Sequence, residues 1–484
     1  MKLNNPELLR SQCLINGEWC DALSGKREAV INPATGAELA SIPLVSEEET
    51  QQAIAAAQRA QNDWKQLTAK QRSALLLAWA DKVLAAQEDL AQLMTAEQGK
   101  SLAEARGEVA YAASFITWFA EEAKRVDGAV LQAPQASQRL VVVKQPIGVC
   151  AAITPWNFPA AMITRKVAPA LAAGCTIIVK PAEQTPLTAL ALAKLAQDAG
   201  IPAGVLQVVT GEAAQVGKVL CDSPVVRKLS FTGSTEVGRI LMAQCAPSIK
   251  KLSLELGGNA PVIVFDDANL DAAVAGIMAS KFRNSGQTCV CANRIYVQDG
   301  IYERLAEKLV AAVEQLKVGD GSQEGTTQGP LIDSDAVAKV QSHIDDALIK
   351  GAQIATGGQP HALGGTFFQP TVVTGVTQKM RFAKEETFGP VAPLFRFHDE
   401  AEAIAMANDT EFGLAAYLFT QNAARQCRVP EALEYGMVGI NTGLISNEVA
   451  PFGGVKQSGL GREGSRYGIE EYLELKYLCI DVSR

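Results

Sequence analysis

From about residue 147 onward, short apolar runs alternate with helical stretches, and this alternation limits the chain to few architectures. Residues 148–153 read as a strand, 160–173 as a helix, 175–179 as a strand and 186–199 as a helix. Thr185 is placed to cap that second helix, Pro186 occupies its first position and Gly200 stands just past its end. Residues 205–209 and 228–231 read as further strands with helices behind them. Strands that are apolar along their whole length and spaced by helices specify a parallel sheet covered on both faces. Ligands of such sheets bind beyond the carboxyl ends of the strands. At those ends stand Thr154-Pro155-Trp156-Asn157, Lys180-Pro181-Ala182-Glu183, Thr210-Gly211 and Thr232-Gly233-Ser234. These segments are polar or rich in Gly and Pro, and they suit a nucleotide.

A second alternating region runs from 261 to about 451, with a strand at 262–265 and helices at 271–282, 302–316 and 335–350. A chain of 484 residues exceeds the ~250–300 at which single cores stop growing, so two or three domains are expected. The break near 255–259 is the natural junction. Two segments fit neither region: 129–144, which ends in a strand-like run, and the tail 471–482, where Leu473, Leu475, Tyr477 and Cys479 alternate with other residues. A terminal strand this apolar is an aggregation hazard unless paired, so pairing with another subunit is expected.

Charge and cysteine usage exclude several classes. The 52 acidic and 44 basic residues form no block of one sign, which argues against nucleic acid as a partner. No apolar run approaches the ~20 residues of a membrane span, so no membrane is expected as a partner. The polar start Met1-Lys2-Leu3-Asn4-Asn5-Pro6 lacks a signal-peptide core, so a cytoplasmic location is expected. The ten cysteines are scattered, mostly in apolar surroundings, with no C-x-x-C pair. That suits reduced thiols rather than a disulfide framework. His343, His361 and His398 are far apart and none neighbours a cysteine, so no metal site is expected.

The chemistry concentrates in Phe282-Arg283-Asn284-Ser285-Gly286-Gln287-Thr288-Cys289-Val290-Cys291, preceded by Leu254-Glu255-Leu256-Gly257-Gly258. A thiol adds to a carbonyl carbon and a carboxylate takes a proton from water; a site that makes and hydrolyses a thioester needs both. Alone, a Cys on a polar turn is more often structural. The segment from Phe231 to Gly238 follows a strand and opens a helix, so its N–H groups and Ser234 suit a pyrophosphate, or Ser234 simply caps the helix. Lys180 ends an apolar strand, where burial demands a partner: a ligand hydroxyl or a structural carboxylate.

Taken together, these pieces resemble the aldehyde dehydrogenase superfamily over nearly the whole chain. The motifs that carry the resemblance include Pro155-Trp156-Asn157-Phe158-Pro159, Lys180-Pro181-Ala182-Glu183, Phe231-Thr232-Gly233-Ser234 and Leu254-Glu255-Leu256-Gly257-Gly258. Gly286-Gln287-Thr288-Cys289, Glu385-Glu386-Thr387-Phe388-Gly389-Pro390 and Pro451-Phe452-Gly453-Gly454 follow in order. The resemblance implies an α/β fold with a Rossmann-type dinucleotide domain (1–128 and 145–256) and a second α/β catalytic domain (257–452). It also implies a small β oligomerisation element (129–144 and 453–484) and a homo-oligomer, dimer or tetramer.

It further implies roles. Cys289 is the nucleophile, Glu255 activates the hydrolytic water, and the Asn157 amide with the Cys289 backbone N–H stabilises the oxyanion. Glu386 holds the nicotinamide ribose and Phe388 packs beside the ring. Trp156, Lys180, Glu183, Gly233, Ser234 and Leu256 are cofactor contacts. Ile153, Thr154, Pro155, Pro181, Ala182, Gly217, Phe231, Thr232, Val237 and Gly257 complete that set.

Within the family, Met162-Ile163-Thr164-Arg165-Lys166, Cys289-Val290-Cys291 and Leu444-Ile445-Ser446 look most like succinate-semialdehyde dehydrogenases. The match points to Arg165, Arg283 and Ser446 as the clamp for a semialdehyde carboxylate, although either Arg could instead tie helices or subunits together. Glutarate semialdehyde, one methylene longer, differs by only ~1–3 kcal/mol in binding. Glu183 stands where NADP-using relatives tend to have a small hydroxyl residue. A carboxylate there accepts both ribose hydroxyls and repels a 2′-phosphate, so NAD is expected over NADP. Cys291 is either a wall residue or a redox partner of Cys289. A cofactor-independent cysteine hydrolase and a catalytically silent homologue are the rival readings; an acylating, CoA-dependent enzyme is disfavoured by Glu255.

Overall fold

The computed structural model describes residues 1–483. Eight strands form one sheet in the order Gly459–Leu460, Lys251–Glu255, Val226–Thr232, Val149–Ile153, Thr176–Lys180, Leu206–Val208, Cys13–Ile15 and Glu18–Cys20. The five from Lys251–Glu255 to Leu206–Val208 run parallel. Val149–Ile153 and Thr176–Lys180 are buried at every position, as covered parallel strands are. Chain order runs outward from Val149–Ile153 in both directions. The crevice between it and Val226–Thr232 is therefore the topological switch point, and Thr154–Asn157 and Thr232–Ser234 open beside it.

A second, seven-stranded sheet has the order Gln353–Thr356, Thr371–Val376, Val391–Phe397, Ala292–Gln298, Ala260–Val264, Ala415–Phe419 and Met437–Ile440. Only its first pair is antiparallel. The chain crosses from the first sheet to the second between Glu255 and Ala260.

The helix expected at 186–199 spans Pro186–Asp198, but Thr185 does not cap it with its side chain. The buried Glu97 carboxylate does so instead, accepting from Leu187 N–H (2.7 Å) and Thr188 N–H (2.8 Å). A cap supplied by a residue 90 positions away leaves no local signature. Glu97 belongs to a layer of helices, Glu47–Trp64, Ala69–Ala85, Gln87–Gln98 and Leu102–Glu122, packed on the first sheet.

The third sheet contains Leu473–Asp481, Gln138–Pro146 and Ala129–Leu131. Leu473–Asp481 pairs along its whole length with Gln138–Pro146 and leaves its other edge open. Leu475, Tyr477, Leu478 and Ile480 are exposed on it. Residues 453–472 do not join that sheet. Gly459–Leu460 pairs with Leu254–Glu255, and Ser465–Glu470 is a helix against the first sheet's helices. Among the described residues no helix is long and apolar enough to cross a membrane, no group of side chains has metal-ligand geometry and no cysteine is disulfide-bonded.

Candidate active site

The nucleophile turn is built from backbone that side chains ordinarily avoid. Helix Leu270–Lys281 gives way to Asn284, Ser285 and Gly286, three consecutive residues with φ of 50°, 54° and 74°. Left-handed backbone is unfavourable for non-glycine residues, by about 1–2 kcal/mol each, so the surroundings must hold it. Asn284 N–H donates to Glu104 (2.7 Å), Asn284 Nδ2 to the Asn157 carbonyl (3.0 Å) and Ser285 Oγ to the Gly329 carbonyl (2.9 Å). Ile332 N–H donates to Gln287 Oε1 (3.0 Å). The turn thereby delivers Cys289 to the wall of a cavity of about 290 Å³ that also takes in Asn157 and Glu255.

Burial pushes the Cys289 thiol up to about 12, with Glu386 and Glu255 adding to the effect and Arg165 opposing it. The resting sulfur is therefore a thiol. Glu255 is buried with neither carboxylate oxygen hydrogen-bonded. Burial, then the nearby charge of Glu463, raises its proton affinity well above the ordinary carboxylate range. Glu463 itself stays below that range despite burial, because Lys166 and Arg165 face it; Lys166 Nζ donates to Glu463 and to Thr232 Oγ1. A carboxyl with free oxygens and raised basicity, beside a thiol, is the pairing that base-assisted hydrolysis requires.

Asn157 Nδ2 donates to the Gln287 carbonyl at 3.0 Å. A primary amide has two donors, so one N–H remains for an oxyanion. Because the thiol titrates so high, its alkylation by iodoacetamide without cofactor is expected to accelerate with pH throughout about 7 to 10. A plateau near pH 8 would contradict that thiol environment.

On the cofactor side, Ser234 meets both readings: its hydroxyl accepts from Val237 N–H (3.2 Å), capping Thr235–Cys245, and it lines the cavity. Pro155, Trp156, Thr232, Gly233, Leu256 and Gly257 line it too, as do Glu386 and Phe388. Gly258 N–H donates to Glu386 Oε1 at 3.2 Å, and burial pushes this carboxyl up to about 7. Trp156 and Phe388 meet edge to face at 5.6 Å, with Phe388 at a φ of 55°. A cavity lined by these rings and Leu256, which also takes in the Glu386 carboxyl and Ser234 at the N-terminus of Thr235–Cys245, suits a nicotinamide riboside and its phosphates.

Ile153, Thr154, Pro181, Ala182, Phe231, Gly217 and Val237 do not line this cavity. Lys180 and Glu183 lie outside it as well, joined to each other as an ion pair, the structural alternative for Lys180. Asp333, the N-cap of helix Ser334–Ile349, and Ala336 and Lys339 on that helix line the cavity and were not foreseen. Their i, i+3, i+6 spacing marks a shared face, but nothing local says what that face meets.

Arg165, Arg283 and Ser446 do not line the cavity either. Arg165 is buried, 3.0 Å from Glu463 and stacked 4.0 Å from the Phe452 ring centre, while its Nη2 has no partner. The buried Tyr111 hydroxyl makes no close hydrogen bond; the Ser446 side chain is its weak partner, and the charges of Arg165 and Arg283 act on it. Tyr111, on helix Leu102–Glu122, escaped the sequence reading because a helical Tyr in an Ala-rich segment reads as core. The Cys291 thiol is buried and directed at the Lys281 carbonyl (3.4 Å), as a wall residue would be.

Residues 19–478 match the Aldehyde dehydrogenase family. The chain is 65% identical over 480 residues to the succinate-semialdehyde dehydrogenase [NADP(+)] GabD of Escherichia coli K12, covering 99% of this chain and 100% of that protein. It is also 65% identical over 482 residues to a glutarate-semialdehyde dehydrogenase of Pseudomonas putida KT2440, covering 100% of both. The crystal structure of betaine aldehyde dehydrogenase from Staphylococcus aureus in complex with NAD+ superposes with a TM-score of 0.96 at 36% identity, over 98% of this chain and 96% of that one. The chain belongs to the aldehyde dehydrogenase family.

Proposed function

We propose that the protein oxidises succinate semialdehyde to succinate with a nicotinamide dinucleotide. The observation that carries the substrate class is Arg165 Nη2, a buried donor without a partner, gathered with the weakly paired Tyr111 hydroxyl, Ser446 and the charge of Arg283. Unpaired buried donors are unfavourable unless a ligand satisfies them, and a carboxylate supplies several acceptors with the matching charge. The relatives named for succinate and glutarate semialdehyde support the same class.

The Cys289 thiol gives up its proton to water as its sulfur adds to the aldehyde carbon, and the free Asn157 N–H and the Cys289 backbone N–H stabilise the alkoxide that results. Each such donor is worth about 3–4 kcal/mol in the transition state. The cofactor, when bound against Trp156, Ser234, Glu386 and Phe388, supplies a hydride acceptor. Glu255 then draws a proton from water, whose oxygen attacks the thioester carbon and releases the acid.

Glu183 favours NAD by repelling a 2′-phosphate, but its ion pair with Lys180 neutralises part of that charge. The first sheet with its helices is the cofactor half, the second sheet the catalytic half. The open edge of Leu473–Asp481 takes a second copy, so Tyr477→Lys is expected to lower the sedimentation mass; an unchanged mass contradicts that. A panel from acetaldehyde to glutarate semialdehyde, run with NAD and NADP, tests the whole reading. Arg283→Ala is expected to cut kcat/KM for the semialdehydes about 10²-fold or more and for acetaldehyde less than about threefold. Equal losses on both would overturn the carboxylate clamp.

A further inference from the structure

Besides the direct bond from Asn157 Nδ2 to the Gln287 carbonyl, several further hydrogen bonds tie the Asn157 loop and the nucleophile turn to one helix. We propose that Lys100, Glu104 and Glu108, at and just before the first turns of helix Leu102–Glu122, are positioning residues that set the Asn157 amide against that turn. Lys100 Nζ donates to the Asn157 carbonyl at 2.8 Å and to Glu108 at 2.5 Å. The other Glu108 oxygen accepts from Ala160 N–H (2.9 Å) and Ala161 N–H (3.2 Å). Those amides open helix Ala161–Ala173, which has no side-chain cap of its own. Glu108 is thus a remote cap, fixing where the helix behind Asn157 begins.

Four residues earlier on the same helix, Glu104 accepts from Asn284 N–H at 2.7 Å, and Asn284 Nδ2 closes the circuit on the Asn157 carbonyl at 3.0 Å. One helix therefore grips the oxyanion loop of the first sheet and the nucleophile turn of the second. The Lys100 and Glu108 side chains are each 1% exposed. A fully buried ion pair gives little net stability over apolar packing, whereas its directional bonds fix the Asn157 backbone from one side. A displacement of about 1 Å in such a group lowers rates about 10²-fold.

The inference rests on the aldehyde-oxidation reading, and a double-mutant cycle separates the two. Lys100→Met, Asn157→Ala and the double variant are compared by the single-turnover rate of hydride transfer, normalised to titrated active sites. Lys100→Met is expected to lose about 10- to 100-fold with the KM for cofactor unchanged. In the Asn157→Ala background the same change is expected to cost less than about twofold, since its effect runs through that amide.

Losses that multiply, or a parallel loss of cofactor affinity, would overturn the positioning role. Glu104→Ala leaves the buried ion pair intact, so it serves where Lys100→Met does not fold; it is expected to show a smaller loss with the same non-additivity, and additive losses overturn the proposal. A parent protein that reduces no cofactor with any aldehyde would instead overturn the reading beneath it.

Discussion

Glu255→Gln protein mixed with aldehyde and oxidised cofactor is expected to release about one equivalent of reduced cofactor per subunit, then turn over about 10²- to 10⁴-fold more slowly than the parent. Glutamine matches glutamate in shape but cannot take a proton from water, so the thioester forms and persists. Neither Glu255 oxygen has a hydrogen-bond partner, so the exchange breaks no structural bond. Removing a carboxyl that Glu463 repels leaves the thermal midpoint unchanged or slightly raised. Stopped-flow absorbance of the reduced cofactor reads burst and steady state in one trace. Steady-state turnover within tenfold of the parent would show that another group activates the water.

Gly286→Ala is expected to be the most damaging single-methyl addition near the site. Gly286 has a φ of 74°, which any side chain strains, and an added Cβ would meet the carbonyl of Gly389 well inside van der Waals contact. That carbonyl belongs to the loop carrying Glu386 and Phe388, so relieving the clash moves the nucleophile turn or the cofactor wall. Gly36 is the internal control: its φ is 72° and nothing lies within 4 Å of its Cβ position. Gly36→Ala therefore carries only the backbone strain, about 1–2 kcal/mol, whereas Gly286→Ala is expected to lose about 3–5 kcal/mol and nearly all activity. Thermal melts and kcat/KM of the two variants read the difference; equal losses would mean that the turn yields easily.

The central strands were legible because a covered parallel strand needs a run of apolar residues, and Val149–Ile153 and the Ile177–Val179 core of Thr176–Lys180 supply it. The domain junction put Glu255 and Cys289 on one cleft wall and the resemblance added Asn157, each through a motif written in a few adjacent residues; the three line one cavity. Contacts between chain-distant residues left no such mark. Glu97 caps a helix that Thr185 was placed to cap, and Glu463 reaches Glu255 from a segment assigned to oligomerisation. The reason is the same in both cases. A buried carboxylate looks like any surface Glu until the fold brings it the N–H groups or cations that make burial tolerable. Cys13–Ile15 and Glu18–Cys20, the last two strands of the first sheet, went unread because each is three residues long, shorter than any periodicity can reveal.

Intact-mass spectrometry of Glu255→Gln, quenched in acid after exposure to succinate semialdehyde and oxidised cofactor, tests the covalent route most directly. The chain is expected to gain about 100 Da, the mass of a succinyl thioester, located on Cys289 by peptide mapping and removed by hydroxylamine. An unmodified Cys289 alongside a full burst of reduced cofactor would contradict the account.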